Sequence, residues 1–423
     1  MDIAAAPTPA TAPVGGDCRV GLFGRLGSGN LGNDATLEAV LAHLARDRPD
    51  ATLDAMSSSP EQVRAHYGIP ATHLHWLHSG TSVQWRPAAV LLTAVRIGVG
   101  LVVDTWRTAR WVRGHDVVIV PGMGVLEATL PVRPWQLPWS LFLLSAFGRV
   151  SRTRVALVCV GASPVPRGAN RWLLTMATRL ASYRSFRDEY SRDVMRRMGV
   201  DTRDDPVYAD LVFSLPTPEA TGDPTTVAVG IMAWYGADAD QEAPQDVHEA
   251  YLTTISEFIA WLLRTGHRVR LLVGDSVDEP VARAIVRDQL ARTPNADASA
   301  LSFEPVSDFT SLLRQVAGTQ AVVASRFHNV IAGVTCGRPT LAIGYGEKHR
   351  DLMAEMGVGD YCLAIRGLGI EELRTTFLAL EADQVQVTRT LSEHNARKKA
   401  VLDDQFADLS GLLPAGPRSG RTR

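Results

Sequence analysis

Short, unbroken apolar runs alternate along the chain with longer amphipathic stretches. Residues 18–24 (CRVGLFG), 51–56 (ATLDAM), 116–122 (DVVIVPG) and 155–161 (VALVCVG) have strand length, and polar or glycine-rich turns follow each of them. Between positions 33 and 45, Leu37, Val40, Leu41 and Leu44 recur at i, i+3, i+4 and i+7, which predicts one buried helix face. The texture changes at 214–225 (SLPTPEATGDPT), a proline- and threonine-rich stretch with linker character. The pattern then restarts, with strands predicted at 226–232, 269–275, 321–325 and 340–345 and helices over 247–263, 279–292 and 329–336. Strands covered on both faces lose the polar alternation of half-exposed ones, so these runs predict parallel sheets layered between helices. The expected fold class is α/β, with two Rossmann-like domains, 18–213 and 226–384, facing a central cleft. A polar C-terminal helix spans 385–412, and residues 1–17 and 413–423 read as disordered tails. Open α/β sheets hold ligands at the carboxyl ends of their strands, so the chemistry is sought there.

Composition narrows the function classes. The 423 residues carry 43 basic and 45 acidic side chains, a net charge of −2. That balance argues against a surface built along its whole length for nucleic acid. All but three of the basic residues (Lys348, Lys398 and Lys399) are arginine. A GC-rich coding sequence accounts for most of that excess, yet the guanidinium fork also matches carboxylates and phosphates. The N-terminus lacks the basic and apolar regions of a secretory signal, and Cys18, Cys159, Cys336 and Cys362 show no CxxC spacing. A cytoplasmic protein without disulfides or structural zinc is therefore expected. The cluster His73, His75 and His78 reads as a loop, and no metal is expected.

Two apolar stretches, 88–103 and 137–147, fall short of the roughly 20 residues a spanning helix needs and are expected to be core helices. Around them the charge is one-sided: Arg86, Arg96, Arg107, Arg110 and Arg113 face the single acid Asp104, and Trp76, Trp85, Trp106, Trp111, Trp135 and Trp139 lie nearby. Tryptophan beside arginine suits a membrane surface at headgroup level, a platform for sugar faces, or ordinary packing with solvated arginines.

Three segments carry chemistry. In GLFGRLGSGNLGNDATLEAV, a strand runs into Gly24, Gly27, Gly29 and Gly32, with Asn33 or Asp34 placed to cap a helix. Its spacing matches neither GxGxxG nor GxxxxGK[ST], which disfavours a nucleotide-dependent dehydrogenase. In AVVASRFHNVIAGVTCGRPTLAIGYGEKHRDLM, Arg326 and His328 stand between a strand end and a helix start, where backbone N–H groups favour a dianion. In SYRSFRDEYSRDVMRRMGV, Arg187 and Asp188 end a short strand and either serve a ligand or pair with each other.

These blocks resemble the polysaccharide pyruvyl transferase family. The resemblance rests on NLGNDA, VVIVPGMGVLE, FRDEYS with MGV and the downstream YADLVFSL, and above all SRFH with GRPTLAIGYGEKHRDL. It implies a GT-B-like pair of Rossmann-like domains, the N-terminal one on the acceptor side and the C-terminal one on the donor side. It implies phosphoenolpyruvate as donor and a sugar as acceptor, in a polysaccharide or on a lipid-linked glycan, without a cofactor. Arg326 and His328 match the family's donor-binding Arg-x-His, Phe327 lies between them, Arg187 matches a further donor arginine, and Lys348 a basic position after the last strand. Gly29, Asn30 and Gly32 are expected at the substrate. Where the family often carries two acids after the first glycine motif, this chain has Asn33 and Asp34.

Forming a carboxyethylidene ketal requires a proton at the donor's methylene carbon, a base for the attacking hydroxyl, and a second hydroxyl that displaces phosphate. His328 is the candidate acid or phosphate ligand, because a neighbouring dianion favours its protonated form. Asp34 is the candidate for orienting or deprotonating the acceptor, with Asp210 as an alternative. Two other readings share the expected fold: a GT-B-type glycosyltransferase with Arg326 on a nucleotide-sugar diphosphate, and a non-enzymatic binder of anionic glycans. Residues 76–139 are expected to govern acceptor choice and to give peripheral contact with an anionic membrane face.

Overall fold

The computed structural model describes residues 18–76, 87–127, 133–219, 223, 225–236, 244–292 and 298–414. The expected tail at 1–17 and residues 415–423 of the expected tail at 413–423 lie outside the described residues, as do His78, Trp85 and Arg86. The chain divides into two compact units: Met1–Ser28, Thr36–Leu211 and Val401–Arg423 form the first, and Gly29–Ala35 with Val212–Ala400 the second.

In the first unit the elements run β1 (Arg19–Gly24), α1 (Leu31–Asp47), β2 (Thr52–Ser57), α2 (Pro60–Tyr67), β3 (Ala71–His73), α3 (Pro87–Arg113), β4 (Val117–Pro121), α4 (Leu137–Ser151), β5 (Arg154–Val160), α5 (Ala169–Leu180), β6 (Tyr183–Phe186) and α6 (Glu189–Arg197). The second unit follows with β7 (Thr226–Ile231), α7 (Pro244–Arg264), β8 (Arg268–Val273), α8 (Glu279–Arg292), β9 (Leu301–Phe303), α9 (Phe309–Ala317), β10 (Ala321–Ala324), α10 (Phe327–Thr335), β11 (Thr340–Gly344), α11 (Glu347–Glu355), β12 (Cys362–Ala364), α12 (Ile370–Ala382) and α13 (Gln384–Leu412).

Each unit holds a six-stranded parallel sheet among the described residues, ordered β3-β2-β1-β4-β5-β6 and β12-β11-β10-β7-β8-β9. The topology is the same in both. The chain starts in the middle, builds one side outward, then returns to the other side of its first strand. The crevice at that reversal lies between β1 and β4 in one unit and between β7 and β10 in the other, where Rossmann-like sheets take ligands. The unbroken apolar runs are fully buried strands, as in β4 and β7. Leu37, Val40 and Leu44 seat α1 as their spacing predicts.

The stretch at 137–147 is indeed a core helix, with Leu141, Leu143 and Leu144 buried in α4. The stretch at 88–103 is not. Among its described residues α3 is seated mainly through Asp104, Thr108, Ala109 and Val112 in its C-terminal half, while Leu92, Val95, Val99 and Val102 are exposed. An apolar helical pattern reads the same whether or not another element covers it. Among the described residues no helix is long and apolar enough to cross a membrane.

Candidate active site

In the second unit, the ends of β7, β8, β10 and β11 gather the expected residues around the start of α10. Arg326 has extended backbone geometry and immediately precedes that helix, so Phe327 and His328 form its first turn, two residues earlier than expected. The positive end of the helix therefore points where an anion at Arg326 and His328 would sit.

Arg326 is not a loose side chain. Its Nε donates to Asp278 Oδ2 at 2.7 Å and its Nη2 to Oδ1 at 2.6 Å, a bidentate pair. Asp278 is wholly buried and also accepts the Ala233 N–H at 2.9 Å, so the loop after β7, the turn after β8 and the end of β10 are tied to one carboxylate. Burial opposes the charge on Arg326, but the bonds to Asp278 and the nearby Asp275 hold its pKa above the ordinary value. The pair uses one edge of the guanidinium, and a quarter of the Arg326 side chain stays exposed.

Two glycines bring the helix start this close. A Cβ at Gly274 would lie 3.0 Å from Arg326 Cβ, and one at Gly230 would lie 2.8 Å from the buried amide of Asn329. Gly32 does the same for His328, since a Cβ there would lie 1.6 Å from the imidazole Nε2. Residues Gly29–Ala35 belong by their contacts to this unit, and Asn30 forms an antiparallel bridge with Asp275. The cap of α1 differs from the expectation. Asn30, not Asn33 or Asp34, stands before the helix and accepts the Asn33 N–H at 3.4 Å. Asp34 lies in the first turn and is buried.

Behind Phe327, His349 is wholly buried, and its ring nitrogen Nε2 donates to the Ser325 carbonyl at 3.0 Å. Burial, with the adjacent Lys348 charge, pushes its pKa down to about 4, so it is neutral near pH 7. It meets Phe327 and Tyr345 edge-on, with ring centroids 5.3 and 4.5 Å apart. Exposed Lys348 places Nζ 5.0 Å from the Phe327 centroid and 5.2 Å from that of Tyr345. The Tyr251 hydroxyl hydrogen-bonds Ser325 Oγ at 2.8 Å, completing the support under the strand end.

The first unit holds Arg187 in a different setting. Its Nη2 donates to Glu127 Oε1 at 2.8 Å and its Nε to Asp188 Oδ2 at 3.4 Å, and Nη1 lies 3.7 Å from Asp210 Oδ2. One cation thus faces three carboxylates. Burial works against its charge, but Glu127, Asp210 and Asp188 together raise its pKa. The guanidinium lies against Gly161, where a Cβ would approach its Cζ to 2.6 Å. Asp188 also caps α6, accepting the Ser191 N–H at 2.6 Å, so this carboxylate both pairs with Arg187 and starts the helix.

His73 pairs with Glu61 at 3.4 Å, and His75 lies 3.1 Å from Ser140 Oγ. Among the described residues no three His, Cys, Asp or Glu side chains come together as a metal site, and all four cysteines are free. Asp278 and Glu127 went unassigned in the sequence. Glu127 stands inside VVIVPGMGVLE, whereas Asp278 lies in GDSVDE, 48 positions before its partner, with no local signal.

Comparison with solved structures identifies the architecture. The UDP-GlcNAc 2-epimerase of Methanocaldococcus jannaschii matches with a TM-score of 0.55 at 10% identity, over 85% of this chain and 91% of that one. The UDP-GlcNAc 2-epimerase of Neisseria meningitidis, bound to UDP-GlcNAc, gives 0.56 at 10% identity over 92% and 99%. The spinosyn rhamnosyltransferase SpnG gives 0.52 at 12% identity over 93% and 99%. These are GT-B folds, and at such identities the likeness is one of fold alone. No curated protein sequence matches the chain. The family model of polysaccharide pyruvyl transferase matches residues 30–347, from Asn30 through the SRFH block to Glu347. On that match, over most of its length, the chain belongs to the polysaccharide pyruvyl transferase family.

Proposed function

We propose that the protein transfers the carboxyethylidene group of phosphoenolpyruvate onto two hydroxyls of a sugar and releases phosphate. The observation that carries this reading is Arg326-Phe327-His328 at the start of α10, with Arg326 oriented by a buried carboxylate. Arg326, His328 and the helix terminus take the donor's phosphate or carboxylate, and Lys348 adds charge at the rim. Asp278 is a positioning residue. It fixes the plane of the guanidinium while His328 holds or delivers the proton required at the methylene carbon.

The carboxylates around Arg187 suit the other half of the reaction. An excess of acids repels a dianion, but carboxylates accept hydrogen bonds from sugar hydroxyls and can take up a proton. Glu127 and Asp210 are therefore proposed to orient and deprotonate the acceptor, with Arg187 holding them in place, and Asp34 is reassigned to the support of α1. This departs from the donor role that the resemblance implies for Arg187.

The test is incubation with phosphoenolpyruvate and a panel of glycans, reading acceptor-dependent phosphate release and a mass gain on the sugar. Release of a nucleotide from a nucleotide-sugar, with no phosphate from phosphoenolpyruvate, would instead make the protein a glycosyltransferase.

A further inference from the structure

The exposed face of α3 is the feature that the proposed reaction leaves unused. Leu92, Val95, Val99, Val102 and Trp106 follow one another at steps of three and four residues, so they share one side of the helix. All five are open to solvent, Val102 by 71% and Trp106 by 65%. Isolated exposed apolar residues are ordinary, but a continuous stripe along a helix marks an interaction surface.

Charge decides what the stripe fits. The same spacing carries on from Trp106 to Arg110 and Arg113, both exposed, and exposed Arg96 lies beside its apolar part. The helix's single acid, Asp104, faces the other way. It is buried, accepts the Trp76 N–H at 2.8 Å and pairs with Arg107 at 3.2 Å. A cavity of about 840 Å³ opens at the cationic end, walled by Arg19, Arg107, Arg110 and Arg113 with Asp54 as the one acid.

We infer that α3 docks this protein on an anionic lipid bilayer, with the stripe seated among the upper acyl chains and the arginines on the headgroup phosphates. Trp106 stands at the boundary between apolar and cationic segments, the level at which tryptophan settles in a bilayer. A second copy of the chain complements the stripe less well. Two α3 helices laid face to face would leave Arg96, Arg110 and Arg113 of each without an acid to meet them, since neither helix carries an exposed one. An amphipathic helix with a basic end and no acid on its exposed side matches a negatively charged surface.

Co-sedimentation of the full chain with phosphatidylcholine vesicles, with and without phosphatidylglycerol, tests this. The wild type is expected to bind the anionic vesicles at least tenfold more tightly than the neutral ones. Val99→Glu with Val102→Glu removes binding to both. Arg110→Glu with Arg113→Glu removes the preference for phosphatidylglycerol, since each arginine near such a surface contributes roughly fivefold. All these positions are exposed, and circular dichroism of each variant checks that the fold persists. Absence of binding to anionic vesicles by the folded wild type overturns the inference, as does unchanged binding by the charge-reversed variant. Sedimentation velocity covers the competing occupant. A wild-type dimer that Val99→Glu with Val102→Glu dissociates, together with no vesicle binding, makes the face a self-association surface.

Discussion

The two sheets share one topology and each ends on an arginine, yet the arginines are surrounded in opposite ways. Arg187 sits among Glu127, Asp188 and Asp210, so the local charge stays negative after its own is counted. Arg326 is paired with Asp278, with Asp275 nearby, and a helix N-terminus and Lys348 add positive potential around it. In the proposed reaction the dianionic donor therefore takes the second site and the acceptor's hydroxyls the first. Arginine at a strand end is thus not by itself an anion site. The number of carboxylates its folding partners bring decides whether it binds a ligand or holds acids in place.

The strongest way to break this contrast is to remove each arginine in turn. Arg326→Met is expected to lower transfer about 10³-fold, as removal of an oriented charge at a reaction centre does. It should also destabilise the protein by about 3–5 kcal/mol, because Asp278 is left buried without its cation. Pairing it with Asp278→Leu should recover much of the melting temperature and none of the transfer, which separates the two roles. Arg187→Met should cost similar stability, yet phosphoenolpyruvate should still raise its melting temperature while failing to do so for Arg326→Met. Loss of that ligand effect in Arg187→Met would put Arg187 on the donor and dissolve the contrast.

The second largest effect concerns His328. His328→Ala is expected to reduce transfer by about 10²-fold or more. Gly32→Ala should approach the same loss with the imidazole still present, because the new methyl takes the space of Nε2. Near wild-type turnover in Gly32→Ala would mean that the ring position is not critical.

How much of this was legible in the sequence differs between the two sites for a physical reason. Arg326 and His328 lie within three residues at a strand-to-helix junction, so local pattern placed them together. The parallel sheets and most elements followed from apolar runs and helical spacing in the same way, whereas the strand order came only with the structure. Asp278 could not be found so, because it reaches Arg326 only through the pairing of β7 with β8 and with β10. The acids around Arg187 likewise come from three separate segments, and only Asp188 is its neighbour in sequence. The exposure of α3 was hidden for the converse reason: periodicity reports an apolar face but not what lies against it.

A third, smaller effect follows from burial behind the proposed donor site. His349 is held near a pKa of about 4 in the fold, against about 6.5 when unfolded. Between these values the unfolded chain binds more protons, so stability is full above about pH 6.5 and is lost as pH falls toward 4. The loss from this group is on the order of 3 kcal/mol. His349→Gln keeps an N–H for the Ser325 carbonyl without a titration, and should flatten the dependence of the second unit's unfolding midpoint on pH across that window. An unchanged slope would assign the acid sensitivity elsewhere.

The smallest expected effect tests the rim of the proposed donor site against its buried grip. Lys348 is exposed and stacks over Phe327 and Tyr345, a contact of about 0.5–1 kcal/mol at such a position. Lys348→Met should therefore leave the melting temperature within about a degree or two. It removes a positive charge beside the donor without disturbing the bidentate pair at Arg326. KM for phosphoenolpyruvate should rise severalfold and the rise should shrink with added salt, because screening weakens an exposed charge far more than a buried one. Transfer at saturating donor should stay close to that of the wild type. A fall in kcat as large as that of His328→Ala would move Lys348 from the rim to the reacting atoms, and with it the proton that the ketal chemistry requires.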